Sequence, residues 1–582
     1  MTRRQRLTRS RLSLCLAAVL AVFSIFGLRL FQIQGVDAQA YAAMAVQAGT
    51  AKVTIPAPRG SITDRNGVKL ATSTDGLSIT ADPSMTAPNA TKIARILIEM
   101  VDDKLDYFDT VEKLRKPKSR FVYIKKKVPR WTAEKALKQI EDAGYTGIFT
   151  EPESLRSYPG GSLAANLLGY LDGSGKGVAG IEQMYNKQLT GKDGAKTYEV
   201  SPTGQRIPMA DSAVQEMVPG GSVRTTIDRD LQWYADQRLA EAVRSSTADW
   251  GLAITMDIKT GQIVQMSQAP TYNADTGAGL TAYNTVNRAV QNVYEPGSVQ
   301  KVLTMAALAN EGKITPQTKI KVPGKLVFDG FRIGDYWEHG TLNLTAAGVI
   351  AKSSNLGTIV ASAQLSDKKL HDYLAKFGLG KTTSSGLPGE STGILNPADD
   401  WTAASKATIA FGQGVSVTAM QMVQAVGAIA NGGVLVEPST VSGYVDADGN
   451  KTAAPEPKRK RVISKKSADM VTTMMEAVTA PDGTAPAAAI KGYRVAGKTG
   501  TAWRVNPITG KYVRGQNTIS FIGFAPADEP RFVTYIVLDN PYRSAGGGSV
   551  GGPVFNDILS MALERFGIAP TGSKVPTIKQ DW

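Results

Sequence analysis

The most uniform apolar stretch of the chain comes early, where residues 12–28 read LSLCLAAVLAVFSIFGL. With the next three residues it reaches about 20 residues, or about 30 Å of helix, which is enough to span a bilayer. The pattern predicts a transmembrane helix over residues 12–31. A cleaved signal peptide is the alternative, but the run is long for one and no small-residue cleavage site closes it.

The orientation of this helix follows from the charge on its flank. Five arginines precede the apolar run: Arg3, Arg4, Arg6, Arg9 and Arg11. Because positive charge is retained on the cytoplasmic side, residues 1–11 are predicted to be a cytoplasmic tail. The protein is therefore expected in the cytoplasmic membrane as a single-pass chain, with everything after residue 31 extracytoplasmic.

Residues 32–225 show short, mixed patterns. Strand-like runs occupy residues 52–55, 77–81 and 121–124, and a helical pattern covers residues 133–143. Turn signals are dense between them. We predict a non-catalytic α+β pedestal module over residues 32–225.

From about Gly221 the texture changes to that of one α/β domain, predicted over residues 226–575 with a tail at 576–582. Strand-like runs at 252–257 and 263–268 predict a hairpin, and two more lie at 519–524 and 532–538. Helical patterns lie between them and after them, at 299–310, 419–430 and 554–566, and Gly312 is a plausible C′ glycine for the first. A central antiparallel sheet built from both ends of the domain is expected, and residues 455–461 are predicted to be an exposed loop.

Charge and rare residues restrict the chemistry. The chain has 66 basic and 51 acidic residues, a net charge of +15, which favours an anionic neighbourhood such as lipid head groups or an acidic wall polymer. Nucleic acid is the competing interpretation, and the predicted extracytoplasmic topology argues against it. Cys15 is the only cysteine and there are two histidines, so disulfides, thiol chemistry and a His-rich metal site are not expected. Any catalysis must use hydroxyls, amines and carboxylates.

A candidate nucleophile follows a chain-breaking Pro-Gly pair. Ser298 opens a predicted helix, and Lys301 lies three residues on, on the same helical face. A serine hydroxyl needs an adjacent base, and a lysine amine can serve if burial and neighbouring cations lower its pKa. Alone, this S-x-x-K spacing is weak, since a surface helix start with a solvated lysine looks the same.

Two further motifs supply polar side chains in the right order. Ser353 and Asn355 place a hydroxyl and an amide two residues apart, in a helix-like run. Residues 498–502 read KTGTA, which is small and compatible with a strand along which a peptide could lie. There Gly500 allows close backbone approach.

The combination S-x-x-K, S-x-N and K-T-G in this order resembles serine penicillin-recognising enzymes. The similarity extends beyond these motifs, from about residue 12 to about residue 570. Segments similar to class B penicillin-binding proteins are RGSITDRNG at 59–67, RSYPG at 156–160, GIEQMY at 180–185, YEPGS at 294–298 and VAGKTGTA at 495–502. The resemblance implies a peptidoglycan D,D-transpeptidase with a pedestal of the dimerisation type and a penicillin-binding transpeptidase domain.

The same resemblance implies roles for the motif residues. Ser298 would form an acyl-ester, Lys301 would take its proton, and Ser353, helped by Lys498, would pass a proton to the leaving D-alanine. Asn355 would hold the stem-peptide amide.

Thr499 and Thr501 would bind the terminal carboxylate, and the backbone N–H groups of Ser298 and Thr501 would form an oxyanion hole. β-Lactams would acylate Ser298 as substrate mimics. No metal or organic cofactor is implied.

Rival interpretations use some of the same residues. Residues 492–499 fit the P-loop pattern G-x-x-x-x-G-K-T, although neither a preceding strand nor a following helix is convincing. A β-lactamase would need a deacylating base, and none is apparent. A catalytically inert penicillin-fold scaffold stays open. No glycan-polymerising domain is recognised, so a separate polymerase would be required.

Two features, the membrane exit at 30–34 and the segment 461–464, are more similar to the division type of class B enzyme, the FtsI-like group, than to the elongation type. A division role would make a membrane-embedded SEDS-type glycan polymerase and other division proteins the partners, and septal wall synthesis the setting.

Several single residues have structural interpretations. Asp64 and Arg65 are expected to form a structural ion pair, and Glu182 is expected to be structural as well. His339 could line the rim of the active site, but a solvent-facing loop is the favoured interpretation. Residues 412–414, Gly-Gln-Gly, are expected to make a tight turn near the pocket, with a role that the sequence leaves open.

Overall fold

The structure is a computed structural model that describes residues 3–37, 39, 50–101, 105–199, 212–506 and 509–582. It begins with a helix, Arg3–Phe31, followed by a π-helical turn, Gln32–Val36. The segment 11–36 contains an 18-residue window with a mean hydropathy of 2.4, and within the described residues this is the one helix long and apolar enough to cross a membrane. The predicted span lies inside it.

The chain divides into two compact units. The first consists of Met1–Ala57, Asp75–Ser154 and Lys192–Val218, and the second of Pro58–Thr74, Leu155–Gly191 and Pro219–Trp582. The predicted pedestal region therefore contributes chain to both units.

The first unit is an α+β module. Three antiparallel strands form one sheet, Thr50–Ile55, Gly194–Glu199 and Ser212–Gln215. The strand Lys69–Ala81 pairs with Val122–Pro129 and with Ile148–Ser157. The helices are Pro83–Thr86, Ala90–Met100, Tyr107–Leu114 and Arg130–Asp142. Apolar residues recur at helical spacing in Ala90–Met100, and this stripe packs on the sheet to make a separate small core.

The second unit is built on a five-stranded antiparallel sheet, which confirms the predicted fold class. We number its strands in chain order: β1 (Trp250–Asp257), β2 (Ile263–Ala269), β3 (Ala496–Val505), β4 (Tyr512–Ala525) and β5 (Phe532–Asp539). Their order across the sheet is β2-β1-β5-β4-β3, so strands from both ends of the domain meet in the middle. Both predicted hairpins are present.

Helices cover both faces of this sheet. The helix Ala419–Ala430 is buried along its whole length, and its Gly427 lies against Met256 and Val533. On the opposite face, Phe521 stacks edge-on against Phe555 of the helix Gly552–Arg565, with ring centroids 4.7 Å apart. Because both faces are covered, β1 and β5 are apolar almost without alternation and every residue in them is buried.

The second unit contains further helices, both long and short. Its other helices of eight or more residues are Arg229–Ser245, Gln300–Asn310, Asn355–Ser362, Asp367–Lys376, Ala403–Ala410 and Lys465–Thr479. Shorter helices are Ala165–Leu168, Gly180–Met184, Asn186–Leu189, Ala282–Thr285, Arg288–Gln291 and Ala346–Ala351.

Small ladders complete this unit. Ile62–Thr63, Ser222–Thr225, Val441–Val445 and Lys451–Ala453 form a sheet with residues 69–74, the part of the strand Lys69–Ala81 that belongs to this unit. Three two-stranded pairs are Lys319–Val322 with Leu342–Thr345, Leu326–Phe328 with Phe331–Ile333, and Val434–Val436 with Arg459–Arg461. The prediction of a loop at 455–461 is thus wrong for Arg459–Arg461. These three residues are exposed, but their backbone pairs with a neighbouring strand.

Candidate active site

The candidate nucleophile lies on a tight turn pressed against the edge of the sheet. Ser298 is the middle residue of a 3₁₀ turn, Gly297–Val299, that leads into the helix Gln300–Asn310. Gly297 has φ +53°, and a Cβ there would lie 2.6 Å from the carbonyl oxygen of Thr501. Only glycine fits both the backbone conformation and the space, so the turn can lie directly on β3.

Lys301 lies one turn further on and is fully buried. Its Nζ donates to the carbonyl oxygen of Ser353 and, at 3.3 Å, to Ser353 Oγ. Burial lowers the pKa of Lys301 to about 7, and the Asp335 carboxylate opposes that shift. Among the described residues, the structure shows no hydrogen bond from Ser298 Oγ to either buried lysine.

Lys498 approaches the same hydroxyl from β3. It is fully buried, and its Nζ donates to Ser353 Oγ at 2.8 Å and to Thr499 Oγ1 at 3.1 Å. Burial lowers the pKa of Lys498 well below its ordinary value, and the charge of Lys301 lowers it further. Two ammonium groups around one hydroxyl in a dry site repel each other, so the site favours the loss of a proton from one amine near neutral pH.

Ser353 occupies a break between two helices, so the expectation of a continuous helix-like run is wrong. The helix Ala346–Ala351 ends before it, and Ser354 caps the helix Asn355–Ser362. Ser353 itself has φ +56°, a left-handed conformation that is uncommon outside glycine. Such strain, of about 1 kcal/mol or more, persists where the surroundings hold the residue. Here two lysines do so.

A buried carboxylate that the sequence did not reveal holds this break. Asp335 accepts hydrogen bonds from Ser354 Oγ at 2.6 Å, from the backbone N–H of Leu356 at 3.1 Å and from that of Asn355. The helix N-terminus stabilises the negative charge. The Asn355 side chain donates to the carbonyl oxygen of Gly334 at 3.0 Å, which ties the S-x-N segment to this loop. No spacing rule could have found an aspartate about twenty residues upstream.

His339 belongs to the same group, and the expectation of a solvent-facing histidine is wrong. Its side chain is 5% exposed, and Nε2 lies 3.0 Å from Asp335 Oδ2. The ring also packs near Trp337, with centroids 5.2 Å apart. His339 therefore helps to fix Asp335 rather than facing water.

The sequence left open the role of residues 412–414, and the structure shows what they contact. The carbonyl oxygen of Gly412 accepts from the N–H of Gly297 at 3.0 Å, and the N–H of Gly414 donates to Glu295 Oε1 at 2.8 Å. Tyr512 also donates to Glu295, whose pKa is raised by burial. The turn thus supports the nucleophile turn from behind. Glu295, which lies in the family-like segment 294–298, is a second supporting residue whose role the sequence did not predict.

A large cleft of about 1380 Å³ opens in front of these residues. Motif residues on its walls are Ser298, Ser353, Asn355, Thr499 and Thr501. Lys301 and Lys498 lie beneath its floor, fully buried. Because β3 is the last strand of its sheet, its backbone can pair with a peptide laid in the cleft.

Gly500 allows β3 to pack closely against the turn that carries Ser298. A Cβ at Gly500 would lie 2.2 Å from Ser520 Oγ and 3.0 Å from Val299 Cγ2, so glycine is required for β3 to reach the nucleophile turn.

Lys498 lies inside β3, with no helix beginning there, so the P-loop interpretation of residues 492–499 is wrong. Among the described residues, no group of three or more His, Cys, Asp or Glu side chains gathers to hold a metal ion.

Three of the family-like segments meet elsewhere in the second unit. Glu182 is fully buried and forms ion pairs with Arg59 at 2.7 Å and with Arg156 at 2.6 Å, while Tyr158 donates to it at 3.2 Å. The expectation of a structural Glu182 is confirmed. This network joins the segments around residues 59, 156 and 182.

The expected ion pair between Asp64 and Arg65 is wrong. The Asp64 carboxylate accepts from the backbone N–H groups of Asn66 and Val68, both at 2.8 Å, and so shapes its own turn. The Arg65 guanidinium lies 4.6 Å from the centroid of the Phe566 ring. Neighbours in sequence point to different partners here because the turn separates their side chains.

The fold and the cleft define a class: an α/β unit in which a serine on a helix-opening turn lines the same cleft as a second serine, which binds two buried lysines beside an edge strand. Comparison with known proteins agrees with that class. Residues 251–560 match the family model of the penicillin-binding protein transpeptidase domain, and residues 54–225 match that of the penicillin-binding protein dimerisation domain.

Relatives along the whole chain carry the same architecture. Penicillin-binding protein PbpB of Mycolicibacterium smegmatis is 35% identical over 95% of this chain and 89% of its own length. Peptidoglycan D,D-transpeptidase FtsI of Escherichia coli is 32% identical, covering 89% of this chain and 86% of its own. A crystal structure of penicillin-binding protein 3 from Mycobacterium tuberculosis with aztreonam has a TM-score of 0.71 at 32% identity, covering 91% of this chain and 100% of that one. The chain belongs to the class B penicillin-binding proteins, which confirms the resemblance read from its motifs.

Proposed function

We propose that the chain is a peptidoglycan D,D-transpeptidase that cross-links stem peptides through an acyl-enzyme on Ser298 and releases D-alanine. The observation that carries the proposal is the meeting of Lys301, Ser353 and Lys498 through one hydroxyl, beside the cleft that Ser298 lines. Relatives named as peptidoglycan D,D-transpeptidases support the substrate class.

The first half-reaction is acylation. Ser298 Oγ attacks the carbonyl carbon of the terminal D-Ala-D-Ala bond, and its proton passes to the neutral amine of Lys301. A pKa of about 7 for Lys301 leaves a large share of the amine in its base form at neutral pH. Catalytic hydrogen bonds often tighten only with substrate bound, so the contact between Ser298 Oγ and Lys301 Nζ is expected to form in the complex.

Charge that develops on the carbonyl oxygen is held by the backbone N–H groups of Ser298 and Thr501. Gly297 places these two segments against each other. Such donors are each worth about 3 to 4 kcal/mol in related acyl transfers. The leaving amine of D-alanine takes a proton from Ser353, which Lys498 replenishes across their 2.8 Å hydrogen bond.

Substrate is held along β3. Thr499 and Thr501 hydrogen-bond the terminal carboxylate, Lys498 attracts it, and Asn355 holds the stem-peptide amide. In the second half-reaction an amine of a neighbouring stem peptide attacks the ester carbonyl carbon and the ester C–O bond breaks. Ser298 Oγ takes back the proton held by Lys301, and the amine gives its proton through Ser353 to Lys498. A β-lactam acylates the same hydroxyl and leaves an ester that is slow to break. No step requires a metal or an organic cofactor.

The labelling experiment uses a fluorescent penicillin on the wild type and on Ser298→Ala, with mass spectrometry of the modified peptide. Ser174→Ala, in an exposed turn, is the control for loss of a serine hydroxyl. We expect label on the wild type and the control, with added mass on the peptide that contains Ser298. Label that persists in Ser298→Ala would refute the assignment, and failure of the wild type to take label would favour an inert scaffold.

We further propose that the N-terminal helix anchors the protein with its basic end in the cytoplasm and the cleft outside. The arginines before the apolar run support this orientation. In this setting the partners are a membrane-embedded SEDS-type glycan polymerase and other division proteins. Cells depleted of the protein are expected to grow as filaments. Swollen or rounded cells would instead indicate the elongation type.

A further inference from the structure

Asp581 and Trp582 line the active-site cleft, and residues 579–582 pack against its strand Leu342–Thr345, although the sequence predicted only a tail at 576–582. This segment runs antiparallel to the strand Leu342–Thr345. Backbone N–H groups donate from Thr345 to Gln580 O at 2.9 Å and from Trp582 to Asn343 O at 3.1 Å. The indole N–H of Trp582 donates to Leu344 O at 3.1 Å, and both Asp581 and Trp582 line the cleft.

Residues 579–582 also contact the helix Ala346–Ala351, which precedes Ser353. Thr345 caps the helix Ala346–Ala351, and its hydroxyl donates to Lys579 O at 2.7 Å. A Cβ on Gly348 would lie 1.8 Å from the carbonyl oxygen of Gln580, so the backbones are as close as glycine allows. The position of this helix is therefore set partly by residues 579–582.

The side chain of Gln580 reaches the opposite wall. It is 6% exposed, and its Nε2 donates to Asp482 Oδ2 at 2.7 Å. Asp482 begins the cleft-lining segment 482–484, in which Thr484 Oγ1 lies 3.3 Å from Thr499 Oγ1. Gln580 thus joins the helix before the S-x-N segment to the loop that contacts the K-T-G strand.

We infer that Gln580 is a positioning residue for acyl transfer: through Asp482 and the strand Leu342–Thr345 it fixes the spacing between Ser353 and Thr499 across the cleft. The inference rests on the proposed function, because it concerns the geometry of the same reaction. Gln580 contacts neither Ser298 nor the lysines in the structure's hydrogen bonds, so it acts through other residues.

The test measures the second-order rate constant of acylation by a fluorescent penicillin, together with the thermal midpoint, on full-length protein. The variants are Gln580→Ala, Gln580→Asn, which keeps the amide on a shorter stem, and Gln580→Glu, which faces Asp482 with a like charge. Val575→Ala, at an exposed position four residues before this segment, is the matched control. We expect acylation to fall about tenfold in Gln580→Ala and further in Gln580→Glu, at a temperature where every variant is folded.

A rescue separates positioning from general stability. In the double variant Gln580→Glu with Asp482→Asn, the amide can donate to the carboxylate, so acylation should recover to within about threefold of wild type. Equal acylation of Gln580→Ala, Gln580→Asn and wild type, even with a lowered thermal midpoint, would overturn the inference. It would leave the proposed function intact, which fails only if wild type itself takes no label on Ser298.

Discussion

Replacing Lys301 with methionine should abolish acylation and stabilise the folded protein. Methionine has a similar length and fills the same buried space without a charge. Burial holds the pKa of Lys301 at about 7 against an ordinary value of 10.5. At 1.36 kcal/mol per unit, the charged amine costs the folded state about 5 kcal/mol wherever both states are protonated.

Lys301→Met removes this cost, but part of the resulting gain in stability is offset. Methionine leaves the carbonyl oxygen of Ser353 without the donor that Lys301 supplies, at a cost of about 1 to 3 kcal/mol. The net stabilisation is then about 2 to 4 kcal/mol. For a domain of about 350 residues, this corresponds to a rise in thermal midpoint of about 4 °C.

The stability that Lys301→Met gains over wild type decreases as the pH rises. A lysine with a lowered pKa in the folded state destabilises fully below pH 7, and the penalty disappears as the pH rises from 7 to 10.5. Lys301→Met should therefore gain more at pH 6 than at pH 9. The assay is thermal unfolding at both pH values, with penicillin labelling as the activity readout.

The control is Lys313→Met, an exposed lysine shortly after the same helix, whose midpoint should stay near that of wild type at both pH values. The reasoning is refuted if Lys301→Met is less stable than wild type at pH 6, or if its gain does not shrink toward pH 9. Retained labelling of Lys301→Met would refute the role of this amine as the base.

Three further predictions concern the turn that carries Ser298 and the break between helices at Ser353. Wild-type acylation should rise about tenfold between pH 6 and pH 8, because the pKa of about 7 for Lys301 takes the neutral fraction from roughly a tenth to nine tenths, as measured by stopped-flow labelling. Ser353→Gly should unfold at a higher temperature than Ser353→Ala, by about 1 kcal/mol of stability, because glycine accepts φ +56° without strain, while both lose acylation. Gly297→Ala should lose more than about 2 kcal/mol and most of its acylation, since the added Cβ would lie 2.6 Å from Thr501 O.

Each of these has an outcome that contradicts it. An acylation rate that does not change between pH 6 and pH 8 would mean that the base does not titrate in this range. Equal midpoints for the two Ser353 variants would show that the left-handed backbone carries no strain. Gly312→Ala is the control, because Gly312 also has a positive φ, +68°, but open space around the added Cβ. It therefore measures the cost of the backbone conformation alone. If Gly312→Ala loses as much stability as Gly297→Ala, the contact with Thr501 is not the cause.

Local patterns predicted most of the elements. The helix Gln300–Asn310 and its C′ glycine at Gly312, the helix Ala419–Ala430 and both hairpins lie where periodicity and turn residues indicated. These signals are short-range, so a single sequence contains them. Ser353 was misplaced within a helix because nothing in its neighbourhood announces a left-handed residue. Its conformation is held by Lys301 and Lys498, which are distant in the chain.

The candidate site divides in the same way. Ser298, Lys301, Ser353, Lys498 and Thr499 came from three motifs, because each motif carries its chemistry within a few residues. The residues that support them were not assigned a role: Asp335 and Gln580 lie outside every motif, and Glu295 lies in the segment 294–298 but is bound by Gly414 and Tyr512, which are far away in the chain. A supporting residue needs only one correctly placed polar atom, and that requirement leaves no pattern in its sequence neighbours.

By itself the sequence determined the membrane-spanning pattern, the order of strands and helices in the catalytic unit, and which hydroxyl and amines are available for chemistry. Only the tertiary structure decided that two lysines share the Ser353 hydroxyl, that both are dry enough for their pKa values to fall, and that Asp581 and Trp582 line the cleft. The physical reason is that burial and electrostatic coupling depend on distances in space. Those distances are set by a sheet whose neighbouring strands come from opposite ends of the domain.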